Sequence, residues 1–533
     1  MRRNAALSQP HPPQLHCGAP HPTMSQRIAV IDLGSNTTRL VAYDYDPGLR
    51  FHLIDEVREV VRLREGMGAN MVLRAASIDR ALRAMRMFHM LCQASGIDDV
   101  VMTATSAVRD ARNGDSFLAR VRGETGWEPW LLSGEEEGYY GALGAINGTG
   151  LRNGFVVDLG GGSAQIVEVR DRCPQRCVSL PFGALRLSDM FLGYDRGRAA
   201  DVEALRAFMA KHLAGVDWFK ARPGDTLVAI GGTIRNLAKM DQMSGSYPLE
   251  GVHGYWLGAD VVAQMADRLW RMTTKERSRL PGLDDQRADI IQSGALAYAQ
   301  LLAHSGFDGI TVSQQGLREG IFYKRFLAGR PQPIIENLRE FSVYNLARNF
   351  GCVNPHSQHV TKLALSLFDQ LQPAHRLPAS YRELLWAAGI LHDIGISIDF
   401  YYHHFHSAYI IINSGLPGYS PRELALIALL TRYHRKHNPK AGEMAPLLTA
   451  ADRDALTPLA AMLRLAEYLE RGRSQVVRDV RCHLDQAGGW LQIEALAAGD
   501  ASVELWDANR NLDLLKTALG LEVELVAGVW MGE

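Results

Sequence analysis

A chain of 533 residues is too long for one hydrophobic core and implies three or four domains. Its 57 Lys and Arg against 58 Asp and Glu leave a net charge of -1, which excludes a global field able to gather nucleic acid or an anionic membrane. The six cysteines are scattered, the close pair Cys173 and Cys177 lacks a partner pair at zinc-ribbon spacing, and no apolar run is long enough to cross a bilayer, so a reducing cytoplasm is the expected location.

Residues 1–26 begin with a Pro-, His- and Gln-rich stretch without periodicity and predict a disordered N-terminal extension. From Arg27 the run RIAVIDLGSNTTRLVAYDYD alternates apolar and polar residues about a Gly-Ser-Asn turn, which predicts a hairpin opening a core sheet. Ser77 is the predicted cap of a helix with the apolar face Leu82, Met85, Phe88 and Leu91, and the strand VVMTATS follows. WLLSG leads into an acidic helix start, Glu135 to Glu137; FVVDLGGGSAQIVEV then repeats the opening scheme of strand, aspartate, glycine turn and strand. DTLVAIGGTIRNLAKM predicts a strand, a double-glycine turn and a helix, and GITVSQQGLREGIFYKRFLAG a last strand feeding a helix. GRPQPIIEN, around Pro331 and Pro333, marks a linker, after which the pattern from Leu338 is helical. WLQIEAL, SVELWDANRNLDLLKTALG and LEVELVAG predict a closing strand, helix and strand.

A glycine turn that follows a strand leaves backbone N–H groups open to phosphate oxygens. Two such turns occur, Asp32-Leu33-Gly34-Ser35-Asn36-Thr37 and Asp158-Leu159-Gly160-Gly161-Gly162-Ser163, with Gly231-Gly232-Thr233 further on. Each aspartate offers a hard oxygen to Mg2+ or Mn2+, while the turn amides and the hydroxyls of Ser35, Thr37 and Ser163 face phosphate. Alone, either turn is adequately explained as a tight hairpin; the repetition is what points to a ligand.

The trio resembles the phosphate and nucleoside-side motifs of the actin, chaperone ATPase and sugar-kinase superfold. IDLGSNTTRL, ATSAVRDARNG, SGEEEGYYG, VVDLGGGSAQ, AIGGTIRNLA and VSQQGLREG stand in the order of the exopolyphosphatase and guanosine pentaphosphate phosphohydrolase family over residues 27 to 325. The resemblance implies an α/β fold with two actin-like, ribonuclease H-like lobes at 27–140 and 141–328, an all-α HD-type domain at 334–482 and a small α+β unit at 483–533. It also implies a homodimer acting on inorganic polyphosphate or guanosine pentaphosphate, with no nucleic-acid or membrane partner.

By the same resemblance the catalytic carboxylate falls on Glu136. Glu135 and Glu137 remain rivals, because acidic residues also favour a helix N-terminus and successive helical residues turn by about 100°. Asp32 and Asp158 are the implied metal carboxylates, Arg109 faces the phosphate chain, Asn36 helps hold the terminal phosphate, and Arg318 bridges the lobes. The family usually carries GGGSTE, but here Gln165 replaces the last glutamate and leaves a weak, uncharged metal ligand.

In the helical half, His356, then His392 with Asp393, then Glu467 follow the H…HD…D order of metal-dependent HD phosphohydrolases, with Glu in the last place. His359 is a competing ligand, and His403, His404, His406 and His434 add imidazoles, as in HD domains with two metals. A divalent metal there is expected in addition to the cleft metal. Beside the polyphosphatase reading stand guanosine pentaphosphate hydrolysis, nucleotide hydrolysis by the HD domain, and a non-catalytic alarmone or polyphosphate sensor in which Gln165 marks a decayed site.

Overall fold

The computed structural model describes residues 25–68 and 70–531, so most of the expected N-terminal extension lies outside the described residues. The first sheet opens with the antiparallel strands β1 (Gln26–Leu33), β2 (Thr37–Asp46) and β3 (Arg50–Val60), and β4 (Asp99–Ala104) and β5 (Trp130–Leu131) extend it in parallel, in the order β3-β2-β1-β4-β5. β1 is buried on both faces: Ala29, Ile31 and Leu33 join one core and Ile28 and Val30 another, which explains its nearly unbroken apolar text. Asp32 interrupts that text near the strand's end. The helix after β3 runs Ala75–Ala94, with Ser77 inside it instead of capping it; the Ser77 hydroxyl donates to the Arg62 carbonyl at 3.1 Å.

The scheme repeats in a second sheet. β6 (Gly154–Leu159), β7 (Ala164–Arg170) and β8 (Cys173–Leu180) form the meander, β9 (Thr226–Ile230) and β11 (Gly309–Val312) add in parallel, and the short β10 (Trp256–Gly258) closes the edge, in the order β10-β11-β9-β6-β7-β8. The two turns share a hydrogen bond, from Gly34 N–H to Thr37 O at 3.2 Å and from Gly160 N–H to Ser163 O at 3.0 Å. Registers also match, pairing Asp32 with Arg39 and Asp158 with Gln165.

The lobes exchange helices. α1 (Gly134–Thr149) packs Ala142, Ala145 and Ile146 on the second sheet, against Val156, Val167 and Val228. α2 (Gly232–Ser244) follows β9, and α3 (Leu317–Phe326), last in the second segment, packs Ile321, Phe322 and Phe326 on the first sheet, against Ile28, Val30 and Tyr43. The expected division between 140 and 141 therefore falls inside α1, and residues 317–326 of the segment 141–328 belong in space to the first lobe. Glycine makes this crossing possible, because a side chain on Gly144 would clash with the Gly316 carbonyl and one on Gly320 with that of Tyr140.

The second half is helical, with α4 (Pro355–Gln370), α5 (Ser380–Leu391), α6 (His403–Ser414), α7 (Pro421–Tyr433) and α8 (Ala450–Tyr468). β12 (Val477–Asp485), β13 (Trp490–Ala497) and β14 (Glu522–Val529) follow as one small sheet. Leu363, Leu385 and Leu463 of the helices share one core with Val477, Ile493 and Leu525 of this sheet. The expected boundary after 482 lies within β12, since neither part buries its apolar face without the other. Among the described residues no helix is long and apolar enough to cross a membrane.

Candidate active site

The two glycine turns meet at the base of the interlobe cleft. A Cβ on Gly161 would lie 3.2 Å from Ser35 Cβ, and one on Gly162 would lie 3.0 Å from Ser35 Oγ and 2.6 Å from Ser106 Oγ, so glycine lets the turns approach this closely. Ser35 Oγ and Ser106 Oγ share a hydrogen bond of 2.9 Å beneath them. Gly34, Ser35, Asn36 and Thr37 line the cleft from the first lobe, and Gly160, Gly161, Ser163, Gly231 and Gly232 from the second. Gly162 and Thr233 do not reach its surface: Gly162 is spent on the contact between turns, and Thr233 is buried against Gly294.

Four carboxyl groups line it: Asp32 at the end of β1, Asp158 in the matching place on β6, Glu137 in the first turn of α1, and Glu319 in the first turn of α3, whose Oε2 accepts from the Gly316 N–H at 2.7 Å. Burial raises Asp32 and Asp158 to about 6, the second further raised by Asp32. Burial also lifts Glu137 to about 8, against the pull of Arg109 and reinforced by Asp158 and Asp32. The arginines nearby pull each of the three down without offsetting the desolvation, so the buried acids Asp32, Asp158 and Glu137 together favour a further cation among them. Asp32 Oδ1 and both amide atoms of Asn36 are buried without hydrogen-bond partners. Hard oxygens with no donor opposite them fit Mg2+ or Mn2+, with Asp32 and Asp158 as the residues to hold it.

Glu136 does not enter the cleft. Its N–H donates to Ser133 Oγ at 3.1 Å and its Oε2 accepts from Ser133 N–H at 2.8 Å, the reciprocal capping box that starts α1. With Glu136 turned back onto the cap, the next residue points inward, so Glu137 replaces Glu136 as the cleft carboxylate. The signal was in the text: a serine with glutamate three places on. Arg109 stands behind Glu137, donating from Nη1 to Glu137 Oε2 at 3.2 Å and to the Leu132 carbonyl at 2.7 Å. It orients the acid and lies outside the cleft lining.

Gln165 is buried beside the second turn, and its Nε2 donates to Ser163 Oγ at 2.9 Å and Ser179 Oγ at 3.1 Å while its Oε1 has no partner. That oxygen is buried beside the turn, and the side chain is not among those lining the cleft.

Four arginines complete the cleft: Arg39, Arg235, Arg287 and Arg318. Burial lowers Arg39 to about 9 and Arg235 and Arg287 to about 10, with neighbouring guanidinium groups adding to each shift. Such crowding of desolvated cations favours a polyanion between them. Arg39 was legible through the duplication, since it lies opposite Asp32 as Gln165 lies opposite Asp158; Arg235 and Arg287 carried no comparable signal. Gly232 lets Arg287 lie over the start of α2, where a side chain would clash with the guanidinium. Arg318, at the start of α3, donates from Nη1 to Glu56 Oε1 on β3 at 3.0 Å, a contact within the first lobe and not the expected bridge between lobes; although burial alone would depress it, Glu319 and Glu56 hold it firmly protonated.

Far along the chain, His356 from α4, His392 and Asp393 after α5, and Glu467 from α8 also converge. His356 Nε2 and His392 Nε2 each lie 3.2 Å from Glu467 Oε2, and both are 3.6 Å from Asp393 oxygens. His359 is turned away, its Nε2 2.7 Å from the Val477 carbonyl.

Duplicated sheets, exchanged helices and, between them, a gap lined by glycine turns, acids and arginines define an actin-like α/β protein with a cleft suited to phosphate groups. Comparison with known proteins narrows the class. The Ppx/GppA phosphatase family model matches residues 41–328 and the family's domain III matches residues 338–516. A guanosine-5'-triphosphate,3'-diphosphate pyrophosphatase of Pseudoalteromonas atlantica is 26% identical over 526 residues, 96% of this chain and 98% of its own. An exopolyphosphatase structure from Cytophaga hutchinsonii superposes with TM-score 0.52 at 24% identity, over 56% of this chain and 98% of that one. An exopolyphosphatase-like protein gives TM-score 0.51 at 25% identity with the same two coverages. The chain belongs to the Ppx/GppA phosphatase family.

Proposed function

We propose that the cleft releases terminal orthophosphate from inorganic polyphosphate, with Glu137 as the base that activates water. The observation that carries this reading is a buried carboxyl oriented by Arg109 and raised to about 8, in a gap whose other charges are two aspartates, Glu319 and four arginines. A base poised near neutrality matches the proton it must take. Glu137 removes a proton from a water in line with the terminal phosphorus; the new P–O bond forms as the anhydride P–O bond breaks, and the leaving oxygen remains on the shortened chain. Turn amides on both lobes and the α2 N-terminus receive the charge that builds on the equatorial oxygens. Arg39, Arg235 and Arg287 hold the phosphates behind the scissile bond. A divalent cation on Asp32 and Asp158 supplies charge neutralisation when bound.

An inorganic chain is favoured over a nucleotide because no aromatic side chain is among the cleft-lining residues to stack on a base. Guanosine pentaphosphate hydrolysis is the second reading, supported by full-length similarity to a protein named for that activity. Phosphate release from long polyphosphate and from guanosine pentaphosphate, measured side by side, tests the choice. Turnover of the nucleotide alone would reverse it, and binding of both without release would favour a sensor.

A further inference from the structure

Outside the cleft, a second cavity of about 630 Å³ opens where β5, α1 and α3 meet the linker that follows α3. That volume lies within the range of about 300 to 1,000 Å³ typical of small-molecule sites. Trp130 from β5 and Tyr139 and Tyr140 from α1 supply aromatic rings to it. The Trp130 and Tyr140 centroids are 5.4 Å apart with planes at 76°, and those of Tyr139 and Tyr140 are 5.2 Å apart at 77°. Tyr140 is buried, whereas Tyr139 is 37% exposed and leaves ring surface open to a ligand.

The charge lining this cavity has one sign. Lys324 and Arg325 at the end of α3 and Arg330 in the linker are basic, and among the described residues that line it none is acidic. Arg325 is engaged, donating from Nε and Nη2 to Asp99 Oδ2 at 3.0 and 2.7 Å. Lys324 rests on neutral groups: its Nζ lies 5.1 Å from the Trp130 ring centroid and 5.3 Å from that of Tyr140, and donates to Tyr140 Oη at 2.8 Å. Arg330 Nη1 stands 4.0 Å from Glu336 Oε1, beyond hydrogen-bond reach. The linker wall is held in place, because Pro331 and Pro333 restrict its backbone and the buried Asn147 of α1 pins it. Asn147 Nδ2 donates to the Pro333 carbonyl at 2.9 Å, and its Oδ1 accepts from the Ile335 N–H at 2.9 Å.

We infer that this cavity binds a purine nucleotide, with the base against Trp130 and Tyr139 and the phosphates on Lys324 and Arg330. Aromatic faces take up the base and cations take up the phosphates, and a preformed wall lowers the cost of ordering both. The cleft offers arginines without aromatic rings, whereas here rings and cations stand together. No residue lines both, so the inference is independent of the proposed hydrolysis.

The test is titration calorimetry of ADP into the full chain, in chelator to prevent turnover and with saturating inorganic tripolyphosphate to fill the cleft. One ADP per chain is expected, bound more tightly than adenosine or inorganic pyrophosphate, since each of those offers half of the contacts. Tyr139→Ala should weaken binding about tenfold by removing a stacking face, and Arg330→Glu at least as much by reversing a charge. The cleft variant Arg39→Ala should leave ADP affinity unchanged. Hydrogen exchange of the unsubstituted chain gives a readout that needs no variant: ADP should slow exchange over residues 328–335 and leave the turns at 34–37 and 160–163 unaffected. Absence of binding, displacement of ADP by tripolyphosphate, pyrophosphate binding as tightly as ADP, affinity indifferent to Tyr139→Ala and Arg330→Glu, or protection confined to the turns would overturn the proposal.

Discussion

Exchanging Glu137 for glutamine deletes the cleft base while keeping its size and its ability to accept from Arg109. A positioned base is worth about 10² to 10⁴ in rate, so kcat should fall by that factor, equivalent to about 2.7 to 5.5 kcal/mol of barrier. Glu136→Gln disturbs only the capping box, where an amide oxygen still accepts from the Ser133 N–H. That variant should keep kcat within about threefold and lose at most about 1 kcal/mol of stability. Phosphate release at saturating substrate, with a single-turnover measurement to isolate the chemical step, separates the two. The wild-type rate should climb with pH as Glu137 ionises, from a value near 8 that bound cation draws downward, and this limb should vanish in Glu137→Gln. If Glu136→Gln proves as damaging as Glu137→Gln while both remain folded, the assignment fails.

Three further outcomes can be measured. Asp32 and Asp158, raised from 3.8 to about 6, and Glu137, raised from 4.5 to about 8, make the folded chain bind more protons than the unfolded one, so their contribution to stability is lost as pH rises through these values. Calorimetry in chelator between about pH 6 and 9 should show wild type losing more Tm than Glu137→Gln, with Mg2+ removing the difference; parallel curves would contradict it. Gln165→Glu restores a charge beside the unpartnered oxygen and should tighten Mg2+ binding about tenfold by titration calorimetry, and unchanged affinity would remove Gln165 from the metal site. Arg39→Ala should raise KM for polyphosphate about 10- to 100-fold with little change in kcat, the worth of one charge-assisted contact; a fall in kcat at constant KM would argue against ground-state binding.

Much of the cleft was legible because chemistry there depends on local text. Strand, aspartate and glycine turn occur twice, and the backbone hydrogen bonds of the two turns coincide. What escaped had two physical sources. Three adjacent glutamates can be sorted only by asking which one the helix start consumes, and the Ser133–Glu136 pair answers that. Arg235 and Arg287 become neighbours of Asp158 and Arg39 only through tertiary folding, so no spacing announces them. The domain limits implied by the resemblance cut through packed elements for a similar reason, because α1 and α3 pack across the lobes and β12 shares the helical core.

The α1–α3 crossing makes the two halves inseparable as pieces of protein. Cutting the chain between 140 and 141 would sever a helix, and ending a fragment at 316 would strip the first sheet of the buttress that α3 provides. Gly144 and Gly320 carry only hydrogen atoms at the crossing, so backbone meets backbone between the two lobes. A methyl group at either glycine would run into a backbone carbonyl, so the helices joining the lobes would have to move apart to admit it.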